Sequence, residues 1–255
     1  MIELAAFDEQ VRGSFADVLT EGEQIERIGP LVCVLGAAAG GFVGYRDLAG
    51  IEGAELDALI TRCIALYADR GERFEWKLYG HDRPPDLARR LEAAGFVAEQ
   101  RETVEIALAA SIAGDPDLPE GVALRQATER ADFDRIARFE ATISGGDHGW
   151  LAEMLEGELT FDPGSITIAV VESGGEIVCA GWVRFALGTE FASLWGGSTL
   201  PAWRRRGIYR AVVAYRASLA ATRGFRYLQV DASDESRPIL ERLGFVPVTT
   251  TTPYI

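Results

Sequence analysis

The second half of the chain alternates between helical patterns and apolar strand-like runs. Apolar residues recur at three- and four-residue spacing over 129–143, which predicts an amphipathic helix. Two apolar strands are predicted over 165–187 around a Gly-Gly turn, and a third strand over 190–200. A further helix, a strand over 224–233 and a short helix ended by Gly244 follow. This order predicts a mixed α/β protein.

The first half contains a similar order of elements. Residues 54–96 and 208–245 share the succession of helix, Arg-Gly turn, strand, Arg-Pro loop, short helix and Gly-Phe. This succession indicates an internal duplication, although helix–strand–helix segments of α/β proteins also resemble one another without common origin. The stretch 111–125 carries two prolines and two glycines and is typical of a linker. We therefore expect two domains, 1–113 and 114–255.

The composition is that of an ordinary globular protein with a full core. The chain has 255 residues, of which 48% are hydrophobic, and no apolar run approaches the roughly 20 residues of a transmembrane helix. Its acidic start does not resemble a signal peptide, so we expect a cytoplasmic protein without a membrane partner. The cysteines Cys33, Cys63 and Cys179 are widely spaced in apolar surroundings. We interpret them as buried thiols and expect neither a metal site nor a disulfide.

Charge is distributed unevenly along the chain. The net charge of −14 argues against a nucleic-acid partner, because phosphate backbones are bound by basic surfaces. The segment 201–245 nevertheless contains nine arginines and only four acidic residues. A basic island of this size in an acidic protein favours a small polyanion over a polymer.

The centre of this island is a turn between a strand and a helix, at 204–209. The first N–H groups of a helix lack internal partners and its dipole is positive there, so such a terminus binds phosphate. Gly207 allows a ligand to approach the backbone closely. Charge-assisted donors surround it, from Arg204, Arg205, Arg206 and Arg210. A solvated helix start is the structural alternative, but crowded arginines at a positive dipole end are unfavourable without an anion.

The sequence Arg204-Arg205-Arg206-Gly207-Ile208-Tyr209 resembles the acetyl-CoA signature of the GNAT acyltransferase superfamily. The strand before it and the strand and Gly-Phe helix after it stand at matching distances, whereas Tyr209 replaces the usual small residue. The resemblance covers 122–255. It implies two GNAT-like halves, the first degenerate, each a mixed and mostly antiparallel sheet flanked by helices. A splayed pair of strands would hold CoA in the C-terminal half.

The resemblance also implies which residues bind acetyl-CoA, the cosubstrate. The backbone of Gly197, Ser198 and Thr199 would pair with the pantetheine arm, and Ser233 stands near the family's CoA-contacting asparagine. The turn would hold the pyrophosphate through a set of residues comprising Arg204, Arg205, Arg206, Gly207, Ile208, Tyr209 and Arg210.

Catalytic side chains are less clear. The family's frequent acid and base positions carry Leu240 and Gln229, which can serve as neither. The candidate catalytic residues are Asp231, which is predicted on the same strand face as Gln229, and Tyr254, near the C-terminal end of the sequence. The loop pair Asp147-His148 is a further alternative.

Two functions follow from this resemblance. The first is N-acetyltransfer from acetyl-CoA to a primary amine of a small molecule or peptide, by direct transfer within a ternary complex. The second is an inactive protein that binds acyl-CoA or senses a ligand. Transfer is preferred, because positioning and backbone donors supply much of such catalysis. We expect a monomer or a homodimer.

Overall fold

The computed structural model describes residues 4–12 and 22–255, which form two compact units. Within these ranges, the first unit comprises the residues up to 104, together with 231–234 and 247–255. The second unit comprises 105–230 and 235–246. No helix in the described ranges is long and apolar enough to cross a bilayer.

The first unit is built on five strands. Its helices are α1 (Leu4–Gln10), α2 (Gly53–Ala68) and α3 (Leu87–Ala93), and its strands are β1 (Gln24–Ile28), β2 (Leu31–Leu35), β3 (Gly41–Gly44), β4 (Phe74–Tyr79) and β11 (Val246–Tyr254). The strand order is β1-β2-β3-β4-β11, and only the β3–β4 pair is parallel. Strand β5 (Glu102–Leu108) begins in this unit and continues into the second.

The second unit carries the hairpins and helices predicted for the C-terminal half. Its further elements are α4 (Ala109–Ile112), β6 (Ala123–Ala127), α5 (Arg130–Ser144), α6 (Gly149–Phe161), β7 (Ile166–Ser173), β8 (Glu176–Phe185), β9 (Phe191–Thr199), α7 (Ile208–Thr222), β10 (Tyr227–Ala232) and α8 (Arg237–Leu243). The strand order is β5-β10-β9-β8-β7-β6. Strands β6 to β9 pair antiparallel, and β9 and β10 pair parallel.

Helices cover both faces of this second sheet. Val170 and Trp182 pack with α5 and α6 in one cluster, while their neighbours Val171 and Cys179 pack with Val212 of α7 in another. Because both faces are covered, β7 is an unbroken apolar run from Ile166 to Val171. The mixed architecture of two sheet-and-helix units confirms the predicted fold class.

The predicted hairpin and the repeated order of elements are both confirmed. Gly174 and Gly175 form the turn between β7 and β8, and both have positive φ angles. The order α2-β4-α3 in the first half recurs as α7-β10-α8 in the second. All three cysteines are buried, as predicted.

One strand joins a unit that its place in the sequence does not suggest. Strand β11 is the last element of the C-terminal half, yet it pairs antiparallel with β4 of the first unit, with Tyr254 opposite Trp76. The division into the domains 1–113 and 114–255 stays a prediction.

Strand β5 carries a carboxylate into the core of the second unit. The Glu105 side chain is fully buried, and neither carboxylate oxygen has a hydrogen-bond partner among the described residues. Burial, with a smaller effect of the nearby Glu241, raises the pKa of Glu105 to about 7. A buried carboxylate without donors destabilises the fold whenever it is ionised.

We predict that Glu105→Gln makes the protein less sensitive to pH. The native carboxyl holds its proton up to about pH 7, whereas the unfolded one loses it near 4.5. Wild-type stability should therefore fall, relative to the variant, by up to about 1.4 kcal/mol per pH unit between these values. Urea unfolding from pH 4 to pH 8 measures this difference. A difference that is constant with pH would contradict the assignment.

Candidate active site

The turn before α7 has the backbone shape of an anion site. Gly207, the residue that precedes the helix, has a φ of 84°, and Arg205 has a φ of 61° although it carries a side chain. The first intrahelical bond at this end runs from Ala211 N to Gly207 O. The N–H groups that precede Ala211 therefore have no partner one turn back, and they form a set of donors at the positive end of the helix.

The arginines of this turn remain available to a ligand. Arg205, Arg206 and Arg210 are exposed, and the Arg206 guanidinium lies 4.7 Å from the centre of the Trp203 ring. Arg204 instead uses its Nε to donate to the carbonyl of Thr199, at 3.1 Å. This hydrogen bond links the turn to the end of β9.

Strand β9 contains a β-bulge shortly before that end. Ala180 of β8 pairs with Ser198 and Gly181 with Gly196, so Gly197 is an extra residue without a partner on β8. Gly196 and Gly197 have φ angles of 63° and 93°, which favour glycine. A bulge of this kind interrupts the ladder and leaves peptide groups free to bind a ligand.

A buried cation lies against the bulge on the α7 face. Arg216 is 1% exposed, and its Nη1 donates to the carbonyls of Trp182 at 3.0 Å and Trp195 at 2.9 Å. Burial lowers the pKa of Arg216, which has no carboxylate in salt-bridge distance among the described residues. A Cβ atom on Gly197 would approach the Tyr209 ring to 2.8 Å. The bulge therefore requires glycine where α7 packs.

The next strand separates from β9 after a short contact. Strands β9 and β10 pair in parallel only where Phe191–Ser193 face Tyr227–Gln229. The bulge at Gly197 lies beyond this paired segment. The expected pair of splayed strands is therefore present, with the bulge on one of its two arms.

A carboxylate lies on the α5 face of the same bulge. Glu140 Oε2 accepts a hydrogen bond from the Ser198 hydroxyl at 2.8 Å, and Oε1 is buried without a partner among the described residues. Burial raises the pKa of Glu140, and the Ser198 bond and the nearby His148 oppose this only in part.

The sequence prediction did not include Glu140, although a signal for it exists. Phe133, Ile136 and Ala137 form the buried stripe of α5, and Glu140 stands at the next position of the same three- and four-residue spacing. A charged residue inside an apolar stripe is the feature that could have identified it.

Asp231 is part of a half-buried ion pair in the first unit. Its Oδ2 lies 2.5 Å from Nζ of Lys77 on β4. Burial acts to lower the pKa of Lys77, but the Asp231 and Glu75 carboxylates raise it above its ordinary value. Burial also raises the pKa of the neighbouring Glu102, to about 7. The Asp231 carboxylate is thus held by the Lys77 ammonium, and this ion pair is a structural contact.

The other predicted residues from the end of the chain also belong to the first unit. Tyr254 is 5% exposed and lies in the core cluster with Trp76. Burial, followed by the charge of Glu92, raises the pKa of the Tyr254 hydroxyl. Ser233 is half-buried directly after β10. The catalytic roles of Asp231 and Tyr254 and the CoA contact of Ser233 stay predictions.

The loop pair that formed a further alternative makes local contacts. The Asp147 carboxylate accepts from the backbone N–H of Gly149, and His148 Nε2 lies 2.8 Å from the Ser144 hydroxyl. Leu240 is fully buried and Gln229 is 7% exposed. Neither of these last two supplies an acid or a base.

Comparison with known proteins assigns a class to this arrangement. Residues 130–245 match the model of the acetyltransferase (GNAT) family. This segment contains the bulge, the splayed strands and the arginine–glycine turn. Residues 130–245 therefore form an acyltransferase domain of the GNAT class.

Solved structures share the fold over nearly the whole chain. A GCN5-related N-acetyltransferase from Kribbella flavida has a TM-score of 0.71 and 16% identity, over 100% of this chain and 96% of its own. A tandem GNAT protein from the clavulanic acid biosynthesis pathway has a TM-score of 0.63 and 15% identity, and the match covers 92% of this chain and 83% of that one. A GCN5-related N-acetyltransferase from Sphaerobacter thermophilus has a TM-score of 0.59 and 19% identity, and the match covers 98% of this chain and 89% of that one. No curated protein matches the chain by sequence.

We predict that Asp231→Asn acts mainly on stability. The change leaves the half-buried Lys77 ammonium without its nearest counter-charge, so the free energy of unfolding should fall, by about 1–3 kcal/mol. The double variant Lys77→Met with Asp231→Asn should recover most of this loss. In the folded protein, kcat of Asp231→Asn should fall less than about 100-fold. Urea unfolding and thiol release measure these effects, and a loss of about 1,000-fold or more in kcat would identify Asp231 as a dedicated catalyst.

Proposed function

We propose that the protein transfers an acetyl group from acetyl-CoA to a primary amine of a small molecule or peptide. Transfer is direct, within a complex that holds both substrates. The observation that carries this proposal is the link from Arg204 to the carbonyl of Thr199, which joins a phosphate-binding turn to the end of the β9 bulge.

The turn and the strand suit the two ends of acetyl-CoA. The N–H groups of the 205–210 turn and the exposed arginines bind the pyrophosphate. The backbone of Gly197, Ser198 and Thr199 pairs with the amides of pantetheine, as an added strand would. The thioester then lies near the bulge, where free peptide N–H groups stabilise the developing oxyanion.

The chemistry requires the acceptor amine in its neutral form. The nitrogen attacks the thioester carbonyl carbon, the C–S bond breaks as the C–N bond forms, and the thiolate receives a proton that the nitrogen loses. Loss of this proton becomes more favourable as the pH rises. We expect the transfer rate to rise with pH.

We expect the first half not to bind CoA. Its helix α2 begins after Gly53, but the preceding stretch has no Arg-x-x-Gly-x-Gly sequence. We interpret 1–113 as a degenerate repeat and 114–255 as the acetyltransferase domain. One acetyl-CoA should bind per chain. The cytoplasmic location, and a state as monomer or homodimer, complete the proposal.

We predict that Gly207→Glu abolishes CoA binding without unfolding the protein. A carboxylate at the turn would repel the pyrophosphate, whereas the structure leaves open space for the side chain, 4.0 Å from the nearest carbonyl. Gly224→Glu is the matched control. Gly224 follows the other end of α7 with a φ of 85° and no atom within 4 Å, so the backbone strain is the same.

Calorimetric titration with CoA measures this prediction, with circular dichroism as the check on folding. Wild type and Gly224→Glu should bind with one site per chain, and Gly207→Glu should not bind. Equal affinity in both glutamate variants would contradict the phosphate assignment. Binding without thiol release from acetyl-CoA and any tested amine would favour the inactive acyl-CoA-binding alternative.

A further inference from the structure

The carboxylate of Glu140 is directed at the bulge from the face opposite to Arg216. Its Oε2 accepts from the Ser198 hydroxyl at 2.8 Å, and Ser198 directly follows the extra residue of β9, Gly197. The side chain is half-buried on α5. Glu140 is thus fixed to the strand segment on which the thioester is proposed to lie.

Packing alone does not account for this carboxylate. Oε1 is buried and has no donor within the described ranges, and no salt bridge joins Glu140 to a described cation. The groups that face it are Ser198 of β9 and His148 of the loop before α6, while the Cys179 thiol on the opposite face of the sheet interacts with it only through space. A buried carboxylate oxygen without a donor costs stability, so such a group is a candidate for a functional role.

We propose that Glu140 receives the amino group of the acceptor, holds it beside the β9 bulge and takes a proton from it. This inference rests on the proposed acetyl transfer. An ammonium group supplies the N–H donors that Oε1 lacks, and its positive charge matches the carboxylate. Glu140 is then a catalytic residue, and Ser198 is a positioning residue that orients it.

The proton balance of the step is complete. The ammonium gives one proton to Glu140, which becomes a carboxylic acid, and the neutral nitrogen attacks the thioester carbonyl carbon. The C–N bond forms and the C–S bond breaks. The nitrogen's second proton goes to the departing thiolate, which leaves as CoA thiol, and Glu140 returns its proton to solvent. The raised pKa of Glu140 brings it closer to that of an amine, which favours this transfer.

The first test compares Glu140→Gln, Glu140→Asp and Asp134→Asn. The last removes a carboxylate from the exposed face of the same helix and serves as the control. Thiol release from acetyl-CoA is measured with tyramine, spermidine and a peptide that has a free α-amino group. Glu140→Gln should lower kcat/KM for the amine at least 100-fold with unchanged CoA affinity. Glu140→Asp should retain part of the kcat/KM that Glu140→Gln loses. Asp134→Asn should have the kcat/KM of wild type.

The pH profile separates catalysis from a structural role. In wild type, kcat/KM for the amine should include a rise as the Glu140 carboxyl ionises, and this rise should be absent in Glu140→Gln. Wild-type turnover in Glu140→Gln would overturn the inference while leaving acetyl transfer intact. The absence of transfer to all three amines in wild type would contradict the proposed function instead.

A second test does not depend on turnover. Glutamate side chains are labelled with 13C, and the Glu140 carboxyl signal is assigned from its absence in Glu140→Gln. With CoA bound, n-butylammonium should lower the pKa of Glu140, because a cation beside it stabilises the carboxylate. The neutral n-butanol should leave it unchanged. No response to n-butylammonium would overturn the inference, whether or not wild type turns over.

Discussion

The site depends on a buried positive charge whose only described partners are backbone carbonyls. Arg216 binds the carbonyls of Trp182 and Trp195 on adjacent strands, directly before β9 departs from its ladder. Burying a guanidinium is costly unless its donors are satisfied. The guanidinium therefore requires these two carbonyl acceptors, and one of them directly precedes the bulge. A Cβ atom on Gly181 would lie 2.9 Å from Nη1 of Arg216, so glycine is required beneath the guanidinium.

The same bulge has opposite charges on its two faces. Helix α7 brings Arg216 and Tyr209 to one face, and helix α5 brings Glu140 to the other through Ser198. Both helices are held by the apolar clusters that cover the sheet. The position of a reacting group at β9 is therefore set by core packing, and this is how a rigid scaffold fixes a site to within fractions of an ångström.

Family resemblance and contact geometry give different information on the catalytic side chains. The resemblance indicates positions that often carry an acid and a base, but in this chain they are occupied by Leu240 and Gln229, and Asp231 and Tyr254 are the candidates in their place. The contacts place Asp231 in an ion pair with Lys77 and Tyr254 in an apolar core. They also identify Glu140, on a helix that the motif does not include. A carboxylate with an unused oxygen beside an interrupted strand ladder is a better candidate than one neutralised by lysine.

Features that depend on near neighbours in the chain could be predicted from residue type and spacing. The Gly174-Gly175 hairpin, the helix–strand–helix succession of both halves and the arginine–glycine turn all follow from local spacing and residue type. Contacts between distant residues are visible only in the three-dimensional structure. Lys77 meets Asp231, 154 positions away, and Glu140 meets Ser198, 58 positions away. Strand β11 pairs with β4. A change of one residue in strand register turns a side chain to the opposite face of the sheet. A local sequence pattern therefore does not specify which distant residue that side chain will contact.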